Sequence, residues 1–155
     1  MSLSKPQTRP EGNVTPHFTW AEVLWLPKFG VWHEPSEEEK ANLLLLCKHM
    51  EQVREFLDHS VNVLCAIRPT YVQAPGTQWN GKNYNLAVQG AQASAHIKGL
   101  AMDFTVSKMT CDEARMHLEG ELERLKMRME RKPGSGWVHL DLYPPGASGK
   151  RYFTP

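Results

Sequence analysis

Two histidines and an aspartate carry the densest chemistry in this chain. The stretch Ser94-Ala95-His96-Ile97-Lys98-Gly99-Leu100-Ala101-Met102-Asp103-Phe104 places an imidazole and a carboxylate seven positions apart. Gly136-Trp137-Val138-His139-Leu140-Asp141 supplies a second imidazole, with another carboxylate two positions on. Imidazole nitrogen and carboxylate oxygen are donors that zinc favours, and catalytic zinc sites use three protein ligands and leave one position for water. His96, Asp103 and His139 make such a set, which would also accept other divalent ions. Spacing alone does not decide the matter. A histidine and an aspartate seven apart often occur by chance, and a lone histidine is more often a structural or surface residue than a ligand.

For three side chains to meet at one atom they must sit on elements that hold them rigidly. Leu100–Val106 reads as a strand carrying Asp103. Trp137–Leu142 alternates, with Trp137, His139 and Asp141 on one side and Val138, Leu140 and Leu142 on the other. Two neighbouring strands of this kind aim both ligands at one point, and Gly99 lets the chain turn between the first two ligands. Ser60–Ile67, rich in β-branched and apolar residues, is a further strand, and Lys150–Thr154 adds a short edge strand. Thr19 with Glu22 three residues on forms a capping box that starts a short helix, ended by Pro27 and Gly30. Ser36 opens a longer helix with an acidic first turn, and Leu43, Leu46, Met50, Val53 and Leu57 make its apolar face. A third helix is expected from Thr110 to about Glu130, with Ala114, Leu118, Leu122 and Leu125 on one face. Between Arg68 and Gly90, Pro75, Gly76, Asn80, Gly81 and Asn83 give loop chemistry, and loops of this length in a compact domain are often functional. A few non-consecutive strands with helices on one side indicate an α+β fold, a small antiparallel sheet with helices packed mainly on one of its sides. Residues 1–16, polar and with three prolines, read as a loose arm, and residues 17–155 as a single domain.

Composition narrows the partners. A net charge of +1 gives no electrostatic case for nucleic acid or an anionic membrane. The first sixteen residues lack the apolar core of a secretory signal, and the longest apolar run, Leu43–Cys47, is far too short to span a bilayer. These features predict cytoplasmic synthesis and a monomer that binds neither membrane nor nucleic acid. Cys47, Cys65 and Cys111 are odd in number and widely spaced, which favours free thiols over a disulfide framework. Trp20, Trp25, Trp32 and Trp137 read as packing residues. Trp79, in the loop after Arg68, either packs, lines a groove or is exposed. His33 and His117 lack motif context and read as surface residues.

The pattern Ser-x-His-x-x-Gly-x-Ala-x-Asp-Phe followed by Trp-x-His resembles the signature of the zinc D-alanyl-D-alanine carboxypeptidases and murein peptidases (the peptidase M15-like group), whose relatives include phage endolysin peptidases and the zinc domain of hedgehog proteins. Three further segments resemble the family in the same order: His17-Phe18-Thr19-Trp20-Ala21-Glu22, Ile67-Arg68-Pro69, and Asn85-Leu86-Ala87-Val88-Gln89-Gly90-Ala91. The resemblance implies a hedgehog/DD-peptidase-like fold, Zn2+ held by His96, Asp103 and His139, and Arg68 beside the metal, where its fork holds a substrate carbonyl oxygen or carboxylate. Ser94 is then a residue that bonds substrate, supports a ligand or caps a turn. The implied substrate is a peptidoglycan stem peptide, cut as by a carboxypeptidase or an endolysin-like endopeptidase. Lacking a signal peptide, such an enzyme would be phage-encoded and released at lysis, be carried in the virion, or act on released peptides.

The sequence departs from the family at the proton-moving group. Many relatives carry Glu or Asp three residues before the last ligand, or His two before it; here those positions are Gly136 and Trp137. Glu130, on the far side of the Pro133-Gly134-Ser135-Gly136 turn, is the first candidate base. Asp141, about 6–7 Å along the strand from His139, is a second candidate, or else it orients His139 or closes a salt bridge. A non-catalytic zinc-binding module, such as a phage structural or peptide-binding domain, is the alternative function.

Overall fold

The computed structural model describes residues 7–155. The fold is α+β, and the described residues form nine strands, β1 (Asn13–Thr15), β2 (Phe18–Thr19), β3 (Trp25–Leu26), β4 (Val31–Trp32), β5 (Val61–Cys65), β6 (Ala101–Val106), β7 (Arg128–Glu130), β8 (Val138–Asp141) and β9 (Tyr152–Phe153). The helices are α1 (Trp20–Leu24), α2 (Glu37–Leu57), α3 (Tyr84–Ala87), α4 (Cys111–Glu119) and α5 (Leu122–Leu125), and Ala95–Lys98 form one turn of 3-10 helix. β1 and β2 pair, as do β3 and β4, and the other strands form one sheet in the order β5-β6-β8-β7-β9. That sheet is antiparallel except at its rim, where β9 runs parallel to β7.

Alternation divides this sheet into two faces of different character. Met102, Phe104, Val138, Leu140 and Met129 point into the core, each at most 2% exposed. The register aligns Met102 with Leu140 and Leu140 with Met129, so the apolar row is continuous across three strands. α2 supplies Leu43, Leu46, Met50, Val53 and Leu57 to the same core, and α4 and α5 add Ala114, Leu118, Leu122 and Leu125. The other face carries the in-between residues Asp103, His139, Asp141 and Arg128. A one-residue slip of β8 would exchange the two sets, so core packing also fixes the site.

The helix starts follow the sequence. Thr19–Glu22, Ser36–Glu39 and Thr110–Glu113 are all reciprocal capping boxes. The helix expected from Thr110 to about Glu130 is instead broken. α4 closes at Gly120, α5 ends at Lys126 in a left-handed conformation (φ +56°), and Arg128–Glu130 is extended. The apolar face was read correctly, but Met127-Arg128-Met129-Glu130 alternates between buried and half-buried, a strand signal that the preceding helical period hides.

The arm expected over 1–16 falls partly within the described residues. Residues 1–6 lie outside the described residues. Gln7 exchanges hydrogen bonds with the main chain of Trp32, and Asn13–Thr15 pair with β2. Cys47, Cys65 and Cys111 are free thiols. Among the described residues, no helix is long and apolar enough to cross a membrane.

Candidate metal centre

Asp103 and His139 are directly opposed in the β6–β8 register, which brings their side chains together on one face of the sheet. His96 comes from the 3-10 turn just before β6. Ser94 caps that turn, its Oγ accepting from His96 N–H at 3.2 Å. Gly99 ends it at φ +76°, and an added Cβ there would lie 3.0 Å from Leu43 Cγ on α2. Glycine is therefore required at this position by both torsion and space.

Three atoms converge. His96 Nε2 lies 3.1 Å from Asp103 Oδ1 and 3.2 Å from His139 Nδ1, and His139 Nδ1 lies 2.9 Å from Asp103 Oδ1. Tetrahedral zinc with bonds of ~2.0–2.1 Å places its ligand atoms about 3.3 Å apart. The observed triangle is slightly tighter than this, so the donor set and spacing fit a single divalent ion. All three residues are buried, at 1%, 6% and 9% exposure for His96, Asp103 and His139.

The remaining polar atoms fix the aim of each ligand. His96 Nδ1–H donates to the Ala66 carbonyl at 2.6 Å, which leaves Nε2 as the lone pair facing the centre. His139 Nε2–H donates to Asp141 Oδ2 at 3.0 Å, which leaves Nδ1 facing it. Arg68 Nη2 donates to Asp103 Oδ2 at 2.6 Å, so Oδ1 is the oxygen turned inward. Asp141 is held by Arg128, Tyr143 N–H and His139 together. It is an orienting and ion-pairing group rather than a free base.

Protons compete with a cation for the same atoms. Burial depresses His96 below the usual imidazole value, although Asp103 acts against it. Burial acts in the same direction on His139, but hydrogen bonds and charge from Asp103 and Asp141 prevail and raise it to about 9. Asp103 is held well below the carboxylate range because His96 and His139 outweigh the upward effect of burial.

The cluster opens into a cleft of about 430 Å3, and Arg68, Ser94, Glu130 and Trp137 are among its lining residues. β7 pairs with β8 through Arg128 opposite Asp141 and Met129 opposite Leu140, so the next step along this register carries Glu130 to the level of His139. Glu130 is half-buried. The cleft therefore gathers the three candidate ligands with Arg68, Ser94, Glu130 and Asp141. Gly136 lies in an exposed turn that Arg115 ties down through Ser135 and the Trp137 carbonyl.

Other expectations are corrected. Trp137 is 37% exposed at the cleft rim instead of packed, whereas Trp20 and Trp32 do pack on the core. Trp79 stacks on Phe29 at 4.2 Å and packs against the core. His33 is buried at 2% exposure, not on the surface. Arg128 and Phe153, both in the cleft wall, were not singled out from sequence. For Arg128, the alternation over residues 127–130 was the available signal.

No curated protein and no solved structure matches this chain. A family model described as Peptidase M15 matches residues 17–141. The match begins at the turn before the first capping box, ends at the aspartate that orients His139, and includes every residue of the cluster. The chain belongs to the peptidase M15 family.

Proposed function

We propose that this chain is a zinc-dependent peptidase that hydrolyses an amide bond in peptidoglycan stem peptides. The observation that carries the reading is the triangle of His96 Nε2, Asp103 Oδ1 and His139 Nδ1, with edges of 2.9–3.2 Å, in the wall of a cleft that also holds Arg68 and Glu130. Zinc, held by these three atoms, would supply Lewis acidity for amide hydrolysis. Glu130 would take a proton from the attacking water and return it to the departing amide nitrogen. Arg68, already anchored on Asp103, donates to the carbonyl oxygen as negative charge develops there. The aromatic rings of Trp137 and Phe153 flank the cleft and give the peptide apolar contact. We further propose that the enzyme acts as a monomer and reaches its substrate at phage lysis, from the virion, or as released peptides.

The test is incubation of zinc-loaded protein with purified muropeptides, read by mass spectrometry. Cleavage by the wild type, lost in Glu130→Gln with zinc retained, is the expected result. Zinc binding without turnover on any stem peptide would instead favour a second reading, a non-catalytic zinc-binding module. One observation speaks for that module. Gly136 stands where many relatives carry the proton-moving acid, which leaves the role to a residue on another strand.

A further inference from the structure

The two histidines of the cluster are held by different means. His96 leans on a main-chain carbonyl, that of Ala66, one residue past the end of β5. His139 leans on a side chain, Asp141, so its aim depends on whatever holds that carboxylate. Asp141 is 1% exposed. Arg128 grips it with a two-pronged contact, Nε to Oδ1 at 2.8 Å and Nη2 to Oδ2 at 2.9 Å. Tyr143 N–H adds a bond of 3.0 Å to Oδ1. Arg128 sits opposite Asp141 in the β7–β8 register. The Phe153 ring covers its guanidinium at 4.4 Å and also meets the His139 ring edge-on at 5.7 Å.

We propose that Arg128 is a positioning residue for the metal centre, acting through Asp141 on His139. This rests on the metal-binding half of the functional reading and is independent of hydrolysis. A carboxylate on a single contact rotates about its last bond. Two parallel N–H bonds from a planar guanidinium remove that freedom, and an ammonium group cannot do the same. With the plane of Asp141 locked, Oδ2 stays on His139 Nε2, and Nδ1 stays aimed at His96 Nε2 and Asp103 Oδ1. Removing Arg128 also strands the buried Asp141 carboxylate, which costs stability whatever Arg128 does for the metal. Metal affinity of the folded protein is therefore the readout that isolates positioning.

Zinc affinity of the whole chain, measured by competition with a chromogenic chelator at fixed pH, tests this. Partners of metal-binding histidines typically change affinity about 10–100-fold. Arg128→Met is expected to weaken zinc binding by that factor, and Arg128→Lys by less. Arg124→Met removes an arginine whose contacts are Glu121 and the Phe56 ring, away from the cleft; it should leave affinity within about threefold. In an Asp141→Asn background, Arg128→Met should add less than about threefold, because the route through Asp141 is already cut. Wild-type affinity in folded Arg128→Met, or full additivity in the double variant, would overturn the proposal. If Arg128→Met does not fold, Arg128→Lys alone and with Asp141→Asn decides by the same two criteria. Tight zinc binding by a wild type that cleaves nothing would overturn the hydrolytic reading and leave this one standing. A wild type with no zinc affinity would overturn both.

Discussion

His33 and His139 are both buried, both lie within hydrogen-bond reach of a carboxylate, and both border a cleft. The two clefts are of similar size, about 490 Å3 and about 430 Å3, and Glu34 and Glu39 line the one beside His33. The difference lies in the second ring nitrogen. His33 places Nε2 on Glu39 at 3.1 Å and accepts from Gln73 N–H on Nδ1 at 3.0 Å, so both nitrogens are committed. His139 places Nε2 on Asp141 and turns Nδ1 toward two further donor atoms. Burial and a carboxylate partner are thus shared by both histidines. What separates them is the convergence of His139 Nδ1 on His96 Nε2 and Asp103 Oδ1, which is what makes His139 the candidate ligand.

The largest expected contrast comes from deleting one ring at each place. His96→Ala removes one of the three ligands. A four-donor zinc site is worth ~10–16 kcal/mol, so a loss of at least about 100-fold in affinity is expected, with peptidase activity falling to background. His33→Ala should leave zinc affinity unchanged and cost about 1–3 kcal/mol of stability, because it strands the Gln73 N–H and removes the imidazole partner of Glu39. Metal analysis and chemical denaturation of both variants check this pair. Loss of zinc in His33→Ala would break the comparison.

Glu130→Gln sharpens it. The His139 cleft also has Glu130 in its wall, the proposed proton carrier. Turnover should fall roughly 10²–10⁴-fold with zinc stoichiometry unchanged, as read by steady-state kinetics beside metal analysis.

Next is the pH dependence of protein stripped by a chelator. The folded value of His139, about 9, lies above its ordinary 6.5. The stabilisation it contributes is therefore fully present below pH 6.5 and is lost as pH rises through about 9. Melting temperature in chelator should fall across that window, and His139→Gln should flatten the fall. Loading zinc at neutral pH should also release about one proton, seen by calorimetry in buffers of different ionisation enthalpy. The smallest effect is expected for Ser94→Ala. It removes the cap of the His96 turn, should cost about 0.5–2 kcal/mol in denaturation, and should weaken zinc binding only slightly.

Much of this site was legible because its ligands sit in a local pattern. His96, Gly99 and Asp103 are close in sequence, and the alternation around His139 placed it on a strand, so the family resemblance and the periodicity pointed to the same residues. The remainder depended on pairing between distant segments. Glu130 was singled out while being assigned to a helix; its position beside His139 follows from the register of β7 on β8, which no single-strand pattern contains. Arg128 was missed for the same reason. His33 was misjudged because its partners, Glu39 and Gln73, come from two segments that only the folded chain brings together. Local signals such as capping boxes and apolar faces survived intact, whereas the helix end near Gly120 was hidden by an apolar period that continues past it.

The most direct test of the metal centre is anomalous diffraction at the zinc edge from zinc-loaded crystals. The predicted result is one strong peak in bonding contact with His96 Nε2, Asp103 Oδ1 and His139 Nδ1, with His96 Nδ1 still on the Ala66 carbonyl and His139 Nε2 still on Asp141. A peak beside His33 and Glu39 instead, or none in the cleft at saturating zinc, would contradict the account.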